Sequence, residues 1–195
     1  MFRGALVALW VGWFCAPTVA EPVAVLCHLD QSRVSLWLEG APRSFQLSPE
    51  LRHKLGVGGL GSCWEVFSHG DRLESALPRG QHEGCRSALT SFGQFARELN
   101  AGNWTRVETM LGITSQPESQ AFRLRWARQF VSPDPLDWNV LHLDSDSVEV
   151  AVVSMQGALD ADETFEPTPT ALRSRWQLVR PSPGSAWRIR ERSDR

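Results

Sequence analysis

Residues 85–111, CRSALTSFGQFARELNAGNWTRVETML, decide how the rest of the chain is read. Leu89, Phe92, Phe95 or Ala96, and Leu99 recur at helical spacing and form one apolar stripe. Gly102 stands where a left-handed glycine ends such a helix, and Asn103 is placed to cap the next one. Trp104, Val107 and Met110 or Leu111 then form a second, shorter stripe. Two helices separated by a tight stop are therefore expected, and the segments around them are read as what covers those stripes.

Downstream, Ser115-Gln116-Pro117-Glu118 has the form of a capping box with proline in the first turn, and it opens a third helix. Phe122, Trp126 and Phe130 at i, i+4 and i+8 are its expected apolar stripe. Arg123, Arg125 and Arg128 lie off that stripe and are expected to pair with nearby carboxylates rather than to form an anion site. Ser132-Pro133-Asp134-Pro135 is the expected stop.

From Trp138 the hydrophobic period changes to two. Val140 and His142 continue it, Asp144-Ser145-Asp146-Ser147 makes a turn, and Val148, Val150 and Val152 return. A long loop is expected over 157–170. Leu172, Ser174, Trp176 and Leu178 then mark one face of a strand, and Trp187 and Ile189 mark the last. The expectation is a four-stranded antiparallel meander with one apolar face. Residues 134–166 carry nine carboxylates and no Lys or Arg, whereas 171–195 carry seven arginines against Glu191 and Asp194. Opposite charges on neighbouring strands account for that segregation as cross-strand pairs.

Upstream, Arg3, the apolar run from Gly4 to Phe14 and the small residues Thr18-Val19-Ala20 have the layout of a secretory signal peptide cut before Glu21. Residues 21–84 read as a small β-rich module. PVAVLCHL (22–29) and the alternating Val34, Leu36 and Leu38 suggest a hairpin, 44–47 a third short strand, 49–55 a helical turn and 64–67 another strand. GVGGLGS (56–62) lacks the Gly-Lys-Ser/Thr ending of a phosphate-binding loop and is expected to be a flexible connector. Residues 68–84 are expected to be loop. The predicted organisation is thus a leader (1–20), a β-rich module (21–84) and an α+β domain (85–195).

The chain of 195 residues has a formal charge of −2, with no basic run and no later apolar stretch long enough to span a membrane. Nucleic acid is therefore not an expected partner. Lys54 is the single lysine, and there are nine tryptophans and no tyrosine. Beyond the leader stand Cys27, Cys63 and Cys85; in an oxidising compartment two would pair, with Cys63–Cys85 preferred because it staples a polar segment. Cys27-His28 and His82-x-x-Cys85 match no zinc spacing, so neither metal nor cofactor is expected.

Three helices followed by a curved antiparallel sheet resemble the NTF2-like, or SnoaL-like, cone fold. The residues that carry the likeness are Phe92-x-x-Phe95-Ala96-x-x-Leu99-Asn100-Ala101-Gly102-Asn103-Trp104, with Arg173–Arg180 and Ala186-Trp187-Arg188-Ile189-Arg190 as the closing strands. It covers residues 86–192 and leaves the first module unaccounted for. The resemblance implies three helices on a four-stranded cone, and it spans both enzymes and binding domains. Its isomerase branch relies on a tyrosine that is absent here. For a cyclase-like acid–base pair the candidates are His142 with Asp144 or Asp146. Trp126, Trp176 and Trp187 are expected on inward faces as core; were the cone a pocket, they and Arg125 would line it. The reading is an exported, periplasmic or secreted cell-envelope protein acting as a non-enzymatic binding or assembly module. Its partner would be another envelope protein or a small apolar ligand. The alternative is a SnoaL-like isomerase, cyclase or hydrolase acting on a hydrophobic small molecule in the cone.

Overall fold

The computed structural model describes residues 23–159 and 165–192, with 156–159 and 165–172 described by backbone alone. The leader expected at 1–20 lies outside them. The protein belongs to the α+β class, with four α-helices and two curled sheets among the described residues.

The first sheet is a closed barrel of β1 (Val23–Leu29), β2 (Arg33–Leu38), β3 (Ala41–Gln46), β4 (Ser62–His69) and β5 (Arg72–Gln81). Its order is β1-β2-β3-β5-β4, and β1 closes it by pairing with β4. Helix α1 (Pro49–Gly58) crosses between β3 and β4. Glu39 and Gly40, both at positive φ, make the two-residue turn that joins β2 to β3; this geometry follows the strand twist. Leu26, Leu36, Leu55 and Leu73 fill the interior without exposure to water.

Two expectations for this region are corrected. Most of the loop expected over 68–84 is β5, which pairs with β4 along most of its length. Two register shifts in that ladder explain why it carries no strand signature: Leu73 and Ala76, its buried residues, are three apart instead of two. The glycine-rich 56–62 stretch is an ordered helix-to-strand corner. Ser48 caps the start of α1, Gly59 ends the helix, and the Gly61 amide donates to the Leu26 carbonyl at 2.9 Å.

Helix α2 (Glu83–Asn100) follows the barrel directly, and His82 Nδ1 accepts its first capping bond from the Cys85 amide at 3.1 Å. Its stripe is the expected one: Leu89, Phe92, Phe95, Ala96 and Leu99 are all buried. Helices α3 (Trp104–Leu111) and α4 (Gln116–Trp126) complete the set. Asn103 precedes α3 without capping it, since its side-chain amide turns back to Glu98 Oε2 at 2.6 Å.

Helix α4 ends at Trp126, one turn earlier than its apolar spacing predicts. Phe130 belongs instead to strand β6 (Gln129–Val131). The Asn100 side chain grips that strand at both backbone atoms of Val131, donating to its carbonyl at 2.8 Å and accepting from its amide at 3.0 Å. Tertiary pairing thereby overrides a local helical signal.

The second sheet contains β7 (Asn139–Leu143), β8 (Ser147–Leu159), β9 (Phe165–Val179) and β10 (Arg188–Arg192) as well as β6. Its five strands run β10-β9-β8-β6, with β7 beside β6 along the same edge of β8. The expected four-strand meander therefore gains β6. Much of the loop expected over 157–170 is also strand, with Gly157 opposite Pro167 and Leu159 opposite Phe165. Backbone ladder bonds hold that extension, although Gly157, Glu166, Pro167 and Pro169 carry little strand propensity.

One contiguous apolar core runs from the barrel through α2 into the second sheet, taking in Leu26, Cys85, Phe92, Trp138, Trp176 and Ile189.

Candidate functional site

The space between α2–α4 and the second sheet is where a pocket would lie, and aromatic side chains occupy it. Phe95 and Trp126 stand 4.9 and 5.1 Å, ring to ring, from Trp176. Phe92 stands 4.9 Å from Trp138 in an edge-on contact and 5.9 Å from Trp176. Phe92, Phe95, Trp138 and Trp176 have no exposed surface. The indole N–H groups that such burial would orphan are satisfied: Trp176 donates to Ser174 Oγ at 2.9 Å and Trp138 to the Ser132 carbonyl at 2.8 Å. Trp187 lies apart from this group. It donates to Ser87 Oγ at 2.9 Å, and the Arg180 guanidinium lies over its ring at 4.9 Å.

An open cleft of about 600 Å3 borders the filled region. Leu111 and Ile113 from the end of α3, Phe122 and Arg125 from α4, and Ile189 and Glu191 from β10 line it. Helix α3 is held against α4 by Glu108, which receives two bonds from Arg123 at 2.6 and 3.0 Å and a third from Ser119. These contacts pull the Glu108 carboxyl below its usual range, Arg123 first.

Glu191 is the chemically distinctive group of this cleft. Its register partner is the fully buried Trp176, so strand alternation turns its carboxyl toward the interior. Arg125 pairs with it at 2.9 Å, and the Trp126 indole donates to it at 3.3 Å. Burial pushes the Glu191 carboxyl above its usual range, and this outweighs the lowering by Arg125 and Trp126. A carboxyl so held can take and release a proton at higher pH than an exposed one. Arg125 and Trp126 were legible in the sequence as candidates; Glu191 was not, because in the sequence it stands as one acid inside an arginine-rich strand. Its only trace was its parity with Ile189 and Trp187 on that strand's inward face.

The remaining candidates do not meet. His142 projects on the opposite side of the sheet and meets the barrel's Trp37 edge-on at 5.5 Å. Asp144 accepts from the Ser145 amide at 2.7 Å, and the Asp146 carbonyl accepts from the Arg180 amide at 2.9 Å. Among the described residues no hydrogen bond joins His142 to either aspartate.

Cys27, Cys63 and Cys85 are free thiols, where the sequence reading expected a Cys63–Cys85 bridge. Burial raises all three, Cys27 and Cys85 to about 12, with a smaller push on Cys27 from Cys85 and on Cys85 from Cys63. Among the described residues no group of three or more His, Cys, Asp or Glu side chains gathers as a metal site, and no helix is long and apolar enough to cross a membrane.

No protein-family model, characterised protein or solved structure matches the chain.

Proposed function

We propose that the chain is an exported cell-envelope protein that works as a non-enzymatic binding or assembly module. Residues 1–20 act as its leader, 21–84 as a first module and 85–195 as an NTF2-like domain whose three helices α2–α4 cover a curved sheet. The observation that carries the reading is the filled interior. An enzyme on this plan needs a deep cavity with converging ionisable groups, whereas Phe92, Phe95, Trp126, Trp138 and Trp176 occupy that volume. The surfaces left for recognition are open clefts.

The test is twofold. A photo-crosslinking residue in place of Ala121, an exposed α4 residue that lines the Glu191 cleft, should capture another envelope polypeptide in living cells. The purified chain should not brighten an apolar dye such as 1-anilinonaphthalene-8-sulfonate while folded. Stoichiometric dye binding together with no crosslink would overturn the proposal.

The second reading, a small SnoaL-like enzyme, is favoured by one specific observation: the Glu191 carboxyl, raised by burial and flanked by Arg125, faces a cleft large enough for a small molecule. In that reading Glu191 is the proton-transfer group, and Glu191→Gln abolishes turnover without unfolding the chain.

A further inference from the structure

A second groove, on the outer face of α2, is formed without any group of the Glu191 cleft. It holds about 400 Å3 and is floored by Leu60, Leu89 and Gly93, with Leu136 on its rim. Arg86, Thr90, Gly93 and Arg97 fall at i, i+4, i+7 and i+11, so they form a single row along the helix. Gly93 is buried mid-helix, where glycine ordinarily costs about 1 kcal/mol against alanine. Here a Cβ would meet Trp138 Cη2 at 3.3 Å, and it would stand 3.7 Å from both Arg97 Nη1 and the Pro133 carbonyl. The missing side chain thus lets the Trp138 ring close on the helix, while the Pro133 carbonyl and the Arg97 guanidinium sit at ordinary contact distance around the same position.

The charges of this groove are unbalanced. Arg86 and Arg97 are exposed, and neither guanidinium enters an ion pair or a hydrogen bond among the described residues; Arg97 lends only a weak field to Glu98. Arg43, Arg79, Arg106, Arg123, Arg125 and Arg192, by contrast, each form an ion pair. Asp134, the acid on the groove wall, is turned to its own loop, where it accepts from the Leu136 amide at 2.9 Å.

We propose that this groove binds an extended acidic stretch of a partner polypeptide, with one carboxylate on Arg86, another on Arg97 and apolar side chains between them over Leu60 and Leu89. The spacing selects the class. The two arginines are about 16 Å apart along the helix axis, which a small dicarboxylate does not span. An extended chain rises about 3.4 Å per residue, so acids about five residues apart reach both. The apolar floor and the exposed Leu136 favour a peptide over a nucleic acid, which would need a longer basic track. The inference does not depend on the filled interior, so it stands or falls separately from the reading above.

The probe is a fluorescein-labelled hexapeptide, Glu-Leu-Ala-Leu-Ala-Glu, titrated by anisotropy at low salt against the full chain. Arg86→Gln and Arg97→Gln should each weaken binding by about three- to tenfold, and salt should weaken it further. The same peptide with Gln at both ends should lose as much, and Thr90→Trp should block the groove. Both arginines are exposed, so melting temperatures should stay near that of the parent chain. Equal binding of the Gln peptide, indifference to both arginine variants, or no binding at millimolar peptide would overturn the proposal. Arginine-dependent binding of phosphatidylglycerol vesicles or oligo-dT in place of the peptide would also overturn it. So would a dimer, seen by sedimentation, that Arg86→Gln dissolves, because the occupant would then be a second copy.

Discussion

Trp176→Ala tests the filled interior most directly. Trp176 has no exposed surface, and Phe92, Phe95 and Trp126 pack on its ring. Truncation leaves a hole on the order of 150 Å3, and at about 24 cal/mol per Å3 the cavity alone costs about 3–4 kcal/mol. Three aromatic pairs, each worth about 0.5–1.5 kcal/mol beyond area burial, put the total near the upper end of the 3–5 kcal/mol seen for aromatic-to-alanine changes. Against a domain stability of about 5–15 kcal/mol this removes a large share. The melting temperature should fall by about 10–20 °C, at about 2–4 °C per kcal/mol for a chain of this size. Differential scanning calorimetry measures it, with Trp176→Phe as a control that keeps most of the ring contacts and loses about half as much. An unchanged melting temperature accompanied by loss of binding of a small apolar ligand would refute the reasoning. The interior would then be a pocket, and the enzyme reading would move ahead.

Further outcomes follow from individual contacts. Asn100→Ala frees both the amide and the carbonyl of Val131, so urea titration should show a loss of about 2–4 kcal/mol, and proteolysis should open the chain near β6 first. The Glu191 carboxyl is raised above its ordinary value of 4.5, so the folded chain holds a proton there that the unfolded chain has released. The stability this contributes is present below that ordinary value and is lost as pH rises through the raised one. Glu191→Gln should therefore gain on the parent chain as pH rises from about 4 to about 8, and parallel stability–pH curves would defeat the assignment. With thiols raised to about 12, Cys27 and Cys85 should resist iodoacetamide in the folded chain, leaving the part-exposed Cys63 to react first. Rapid native labelling of Cys85, or a Cys63–Cys85 bridge in peptide maps of exported protein, would contradict that state. Export itself predicts that protein recovered from the periplasm or medium begins at Glu21; a chain that still starts at Met1 would defeat it.

Much of the helical plan was written locally. The spacing of Leu89, Phe92, Phe95, Ala96 and Leu99 determined α2 and its buried face, because 3.6-residue periodicity needs no partner to be read. The alternation of Val148, Val150 and Val152, and of Trp176 with Leu178, likewise determined which side of β8 and β9 turns inward. The α+β class follows from those two periods together.

What the tertiary structure alone decided depends on partners distant in sequence. Phe130 continues a helical stripe by spacing, yet it joins a sheet because Asn100, far upstream, clamps the next residue and β8 offers a free edge. Strand β5 is polar and holds Pro78 and Gly80; only its ladder with β4 and the closure of the barrel make it a strand. The same holds for both candidate sites. Glu191 becomes distinctive when Trp126, Arg125 and Trp176 surround it, and the Arg86–Arg97 row, which helical spacing alone sets, lines a groove only once the Pro133–Leu136 segment and Leu60 stand beside α2. Burial and field act through space, and the amino-acid order by itself records neither.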